Sequence, residues 1–223
     1  MDEPLVCCIC PTHRTEYLER SQACFDLQTY PNRKLFIFNN SGGAHGSLRN
    51  QVIAQTPAGS IIAHWDDDDW SCPTRLAEQV SFLQSTGANI VGYRDMPFYD
   101  VRTQQVTFYK QPNQHYALGT SLMYWRSVWE QHPFIEVAGD EDSKFEHAVG
   151  FDKVQTQSSI YTFEPCGTKE LRHNRHSPMM VARIHPGNTS PKGGARYEKA
   201  TPELRETVLS CLFPANVAHS ISA

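Results

Sequence analysis

The chain has 223 residues, 39% apolar and 11% aromatic, enough for one substantial core without a second domain. No apolar run approaches the length of a membrane-spanning helix, and Met1-Asp2-Glu3-Pro4 lacks the basic start of a signal peptide, so neither membrane insertion nor export is expected. The net charge of −4 is unevenly spread: residues 168–199 hold seven Lys/Arg against two acids, a local +5 that leaves −9 elsewhere.

In chain order, residues 5–10 read as a buried strand stopped by Pro11, and 15–28 as a helix with Leu18 and Phe25 seven apart on one face. Residues 34–38 form a second strand, 47–56 a second helix ending before Pro57, and 60–64 a third strand. Ser71 can cap a third helix with Pro73 in its first turn, running to about Ser85, and 89–93 is a fourth strand. This alternation predicts an α/β fold, a mainly parallel sheet with helices on both faces, in which ligands sit beyond the carboxyl ends of the strands. Further on, 98–109 alternates around a hairpin at Arg102-Thr103-Gln104, 120–125 reads as a strand and 127–131 as a short helix. Residues 165–200, rich in Gly, Pro, His and Arg, read as loops. The seven cysteines are an odd count, and Cys7, Cys8 and Cys10 crowd the first strand. Cys7 and Cys10 would point to opposite faces there, so small buried hydrophobes in a reduced, cytoplasmic protein are expected rather than a zinc site.

The most informative run is His64-Trp65-Asp66-Asp67-Asp68-Asp69-Trp70. If it continues the third strand, Asp66 and Asp68 share one face and Asp67 and Asp69 the other. Two ionised carboxylates about 5 Å apart repel by roughly 3 kcal/mol at an effective dielectric of about 20, a cost that a hard divalent cation removes. The alternative is a solvated acidic face, but this run is clamped between Ile, Ala and Trp. A calcium-loop reading fails because Ser71 and Ala77 stand where Gly and Glu are needed.

Taken in order, several blocks resemble family 2 of the nucleotide-sugar glycosyltransferases, which have the GT-A fold. They are Pro11-Thr12-His13-Arg14, Gln28-Thr29-Tyr30-Pro31, Leu48-Arg49-Asn50, the acid run followed by Pro73 and Arg75-Leu76, Gly119-Thr120-Ser121-Leu122-Met123, and Gly139-Asp140-Glu141-Asp142. The resemblance covers residues 5–150 well and the remainder loosely. It implies one domain over 1–223, with residues 1–94 binding the nucleotide sugar and 95–223 binding the acceptor and carrying catalysis.

The resemblance also implies the roles. Asp66 and Asp68 form the metal-binding pair, Asp68 being the direct ligand of manganese or magnesium. Thr12, Arg14, Asn39, Arg49, Asp66 and Asp67 line the donor, a UDP-sugar. Asn39 stands where the family usually has an Asp, which bears on the choice of nucleotide. Asp142 is the general base of an inverting transfer, with Glu141 beside it. Helix capping is the other role open to Asp140 or Glu141, and surface ion pairing to Arg14 and Arg49. His185, in the loop Arg183-Ile184-His185-Pro186-Gly187, is a candidate third metal ligand or phosphate donor, with His173 and His176 as rivals. The acceptor stays open between a glycan, a lipid-linked glycan at the membrane face, a protein and a modified nucleic acid. A catalytically degenerate nucleotide-sugar or metal-binding module is the competing class.

Overall fold

The structure is a computed structural model that describes residues 3–39, 43–137, 139–160, 177–188 and 196–214. The elements in chain order are β1 (Val6–Thr12), α1 (Leu18–Asp26), β2 (Arg33–Asn39), α2 (His45–Ile53), β3 (Ile61–His64), β4 (Trp70–Ser71), α3 (Arg75–Thr86), β5 (Ile90–Tyr93), β6 (Asp95–Asp100), β7 (Val106–Lys110), β8 (Met123–Trp125), α4 (Arg126–Gln131), α5 (Glu141–Val149), β9 (Val154–Gln157), β10 (Met180–Ile184), β11 (Tyr197–Lys199) and α6 (Pro202–Leu212).

Six strands form a central sheet in the order β2-β1-β3-β8-β5-β9. β1 runs parallel to β2 and β3, and β5 parallel to β9, while β8 is inserted antiparallel between β3 and β5. The expected α/β class and mainly parallel sheet are therefore present, with one reversed strand. Strand alternation divides the core. Cys8, Cys10 and Ile61 pack with Phe25, Leu76 and Val80 of α1 and α3, whereas Cys7, Ile9 and Ile62 pack with Val52, Val128 and Phe145 of α2, α4 and α5. Cys7 and Cys10 thus lie on opposite faces, and the described cysteines are all free thiols.

A second sheet, β11-β7-β6-β10-β4, stands beside the first. One face is covered by Leu204, Val208 and Leu212 of α6, packed on Tyr99 and Val181. Its other face carries Met96, Phe98, Tyr109, Met180 and Ala182. The β6–β7 hairpin turns as expected at 102–104. Asp100 Oδ1 accepts the N–H groups of Arg102 and Thr103, and Gln104 takes a left-handed φ of 56°.

Three expectations are corrected. Residues 165–200 were expected as loops, but the apolar run at 179–182 builds β10 inside the second sheet, and 197–199 forms its edge. Ser71 does not cap α3: it lies in β4 and its hydroxyl accepts from Arg75, while Thr74 precedes the helix without a side-chain cap bond. The expected strand at 120–125 is a 3-10 turn over Gly119–Ser121 followed by the short β8. Among the described residues no helix is long and apolar enough to cross a membrane.

Candidate functional site

β3 ends at His64, so the acid run does not continue the strand as expected; it turns through a loop into β4. The division of the four carboxylates comes instead from their hydrogen bonds. Asp67 is saturated: Oδ2 accepts from Thr12 Oγ1 at 2.5 Å and Arg14 Nε at 3.2 Å, and Oδ1 pairs with the Arg14 guanidinium. Both oxygens of Asp69 are engaged too, Oδ2 accepting from Thr120 Oγ1 and Oδ1 from the Arg183 backbone N–H. Burial raises the pKa of Asp67 against the pull of those bonds. Burial, then the charges of Asp68 and Asp66, holds Asp69 well above the usual carboxylate range.

Asp66 and Asp68 differ from their neighbours. Asp68 uses Oδ2 to accept from Arg14 at 3.1 Å and to meet His185 Nε2 at 2.7 Å, leaving Oδ1 without a hydrogen bond among the described residues. Asp66 makes none among the described residues, and Arg49 stands 3.6 Å from its Oδ1. Both line a cavity of about 680 Å³ beyond the carboxyl ends of β1 and β3, the place where open α/β sheets bind ligands.

The opposite end of the acid cluster is the start of α5. Asp140 precedes the helix in a left-handed conformation without a side-chain cap bond, and Glu141 and Asp142 form its first turn. Arg49, from α2, joins the two ends: its Nε lies 3.4 Å from Asp142 Oδ1 and 3.9 Å from Glu141 Oε1. Burial disfavours its charge, but the carboxylates of Asp142, Asp66 and Glu141 prevail and raise its pKa. Asn50, the next residue, fixes the loop leading to α5. Its Oδ1 accepts from Trp129 Nε1 and the Phe134 N–H, and its Nδ2 donates to the Phe134 carbonyl. Arg49 is buried and Arg14 half-buried, each in a carboxylate cluster rather than in a surface ion pair.

Several residues with a part here were quoted in the sequence blocks without a role of their own, and Glu146 was not singled out at all. A Cβ at Gly119 would collide with Asp142 Oδ2, so only glycine lets the carboxylate sit against the 3-10 turn. His64 is fully buried. Its Nδ1 meets the Gly119 carbonyl at 2.6 Å and its Nε2 the Tyr124 hydroxyl at 3.1 Å. Burial, reinforced by Arg49, pushes its pKa well down, so Asp142 Oδ1, 3.7 Å away, faces a neutral imidazole. Arg75, also fully buried, ties the His64 and Thr120 carbonyls together. Glu146, one turn beyond Asp142, accepts the Ala117 N–H, and burial pushes its carboxyl up to about 8.

Asn39 is exposed at the end of β2, in register with Thr12. His185 is buried against Asp68 and Arg14, and its Nδ1 accepts the Gly187 N–H. His173 and His176 lie outside the described residues.

Among the described residues no group of three or more His, Cys, Asp or Glu is arranged to hold a metal ion. The donor chemistry nevertheless fits magnesium or manganese. Asp66 and Asp68 offer hard carboxylate oxygens to the cavity, and Asp68 Oδ1 can take an ion without giving up its bonds to Arg14 and His185.

No protein-family model and no curated protein matches the chain. Among solved structures, S. aureus TarS 1-349 in complex with UDP-GlcNAc superposes with a TM-score of 0.60 at 14% identity, covering 83% of this chain and 60% of that one. The TarS 1-349 complex with UDP gives 0.56 at 13% identity, covering 82% and 61%. The mannosyltransferase PcManGT from Pyrobaculum calidifontis, in complex with GDP-Man and Mn2+, gives 0.53 at 14% identity, covering 70% and 55%. The chain spans about 60% of the length of TarS 1-349. At these identities the likeness shows a shared fold, a mixed α/β domain similar to glycosyltransferase folds.

Proposed function

We propose that the chain is an inverting glycosyltransferase that moves a sugar from a nucleotide-sugar donor, UDP-linked, onto an acceptor hydroxyl. The observation that carries this reading is Arg49, whose side chain lies within 3.6 Å of Asp66 and 3.4 Å of Asp142 and so brings the acid run and the α5 acids into one cavity. TarS 1-349 with UDP-GlcNAc and PcManGT with GDP-Man and Mn2+ have nucleotide sugars on the same fold, which supports the donor class.

In this reading residues 1–94 hold the donor and 95–223 the acceptor. Asn39 offers amide donor and acceptor groups to the uracil, beside Thr12. Arg14, held in place by Asp67, donates to the diphosphate. Asp66 and Asp68 would hold Mn2+ or Mg2+, which would supply positive charge against the departing nucleotide diphosphate, and His185 would become a third donor by exchanging its Nε2 contact with Asp68 for the ion. Asp142 takes the acceptor hydroxyl's proton as that oxygen attacks the anomeric carbon. The bond from that carbon to the phosphate oxygen breaks on the far side, its electron pair leaves with the diphosphate, and the configuration inverts. Arg49 positions Asp142 and Glu141 against the attacking oxygen.

Turnover of UDP- and GDP-sugars with Mn2+, in parallel with UDP titration, tests the proposal. Donor hydrolysis that disappears with EDTA is expected. UDP binding with no turnover on any donor would instead mark the chain as a degenerate binding module, and no binding at all would sink both readings.

A further inference from the structure

The wall of the cavity facing the acid cluster is aromatic, and nothing in the donor chemistry above uses it. Phe98 on β6, Tyr109 on β7, Tyr116 and Tyr197 on β11 all line it. Their order forms a lane. The Tyr116 hydroxyl meets Ser143 Oγ at 2.8 Å, beside Asp142. The rings of Tyr109 and Tyr197 follow, with centroids 5.1 Å apart, and Phe98 lies 5.3 Å from Tyr197. At the outer end, exposed Arg196 donates to the Tyr109 hydroxyl at 3.3 Å.

Two features distinguish this wall from an ordinary core edge. Tyr116 and Tyr197 are only half-buried, with their rings in the cavity, and the Tyr197 hydroxyl has no hydrogen-bond partner among the described residues. Arg14 and Arg49 are each within 4.0 Å of carboxylates, whereas Arg196 has no carboxylate that close among the described residues. The rings of Tyr109 and Tyr197 meet at 61° and those of Phe98 and Tyr197 at 71°, so the wall can offer one ring face at a time. Edged by phenol hydroxyls and one guanidinium, that arrangement suits a single pyranose. The sugar's C–H face packs on the negative face of an aromatic ring, and its equatorial hydroxyls reach the polar edge. A polypeptide offers such a C–H face only at proline, and a nucleic acid that passed Arg196 would bring its phosphates against the carboxylates lining the same cavity.

We propose that the Tyr116–Tyr109–Tyr197 lane is the acceptor subsite and that it takes the pyranoside end of a glycan, stacked on Tyr197, with the attacking hydroxyl directed along Tyr116 to Asp142. The proposal rests on the transferase reading, in that Asp142 marks where the lane ends.

The test is saturation-transfer NMR on the full chain with UDP and Mn2+, using a set of methyl pyranosides of gluco, galacto and manno configuration and, separately, a Ser/Thr-rich decapeptide. Saturation of sugar ring C–H protons is expected, with binding on the order of fivefold to tenfold weaker in Tyr197→Ala and retained in Tyr197→Phe, which keeps the ring. Equal binding in parent and Tyr197→Ala, saturation of the peptide alone, or no saturation of any sugar by a chain that binds UDP would overturn it. If UDP does not bind but the sugars do, in a Tyr197-dependent way, the donor reading fails and the lane stands as a saccharide site.

Discussion

On the β1–β3 side of the cavity, four consecutive carboxylates are packed into a turn, and two of them are locked by Thr12, Arg14, Thr120 and a backbone N–H. On the β6–β7–β11 side, the lining is aromatic, lies near a sheet edge, and carries its ions on the surface, as in the exposed Lys110–Glu198 pair at 2.9 Å. The first wall places charges at fixed positions; the second offers area and a few adjustable hydroxyls. Polar chemistry that must be placed to a fraction of an ångström belongs on the first, and recognition that tolerates variation belongs on the second.

The two walls meet at Asp142. Asp142→Asn is expected to lower sugar transfer by about 10²–10⁴-fold while UDP titrates as in the parent, because the amide cannot take a proton. Steady-state turnover beside the UDP titration checks this, and turnover within a factor of two of the parent would remove the base assignment. Arg49→Leu leaves Asp66, Glu141 and Asp142 facing one another without their shared cation. A loss of about 3 kcal/mol in a urea unfolding series near neutral pH is expected, towards the low end for a broken buried pair because Asp66 and Asp142 keep some solvent. Gly119→Ala pushes a methyl into Asp142 and should lower unfolding stability by about 2 kcal/mol, with activity falling further than stability alone explains.

Glu146 sharpens the contrast through pH. Its carboxyl is raised from 4.5 to about 8 by burial, partly relieved by the Ala117 N–H and augmented by the charge of Asp142. The folded chain therefore keeps this proton where the unfolded chain has lost it. The resulting stability is fully present below about 4.5 and is lost as pH rises through about 8. Glu146→Gln should flatten that window, removing a slope of at most about 1.4 kcal/mol per pH unit, measured as urea midpoints at several pH values. The smallest effect is expected on the aromatic side. Lys110→Ala breaks an exposed pair and should move the thermal midpoint by the equivalent of about 0.5 kcal/mol or less.

The architecture of residues 5–93 was legible in the sequence because its signals are local. Apolar runs of strand length alternate with helix-length segments up to Tyr93, and the acid run stands out by composition alone. The path of that run was not legible. Alternation assumes a strand, and the turn that replaces it is held by partners at positions 12, 14, 120 and 183, contacts that no local pattern encodes. The need for glycine at 119 arises from a carboxylate 23 residues away, and the aromatic lane gathers tyrosines from positions 109, 116 and 197. The run at 179–182 was the available signal for β10, masked by the Gly, Pro, His and Arg around it.

Successive residues of one short helix, Arg49 and Asn50, reach in different directions: one into the acid cluster, the other into the segment that leads to α5. They differ by about 100° around the helix axis and 1.5 Å along it, so α2 acts as a rigid coupling between the two. Displacing α2 would pull Arg49 from Asp142 and strip three hydrogen bonds from the 129–134 stretch in the same movement. The spacing between the acid run and the start of α5 is thereby gauged by a single nine-residue rod.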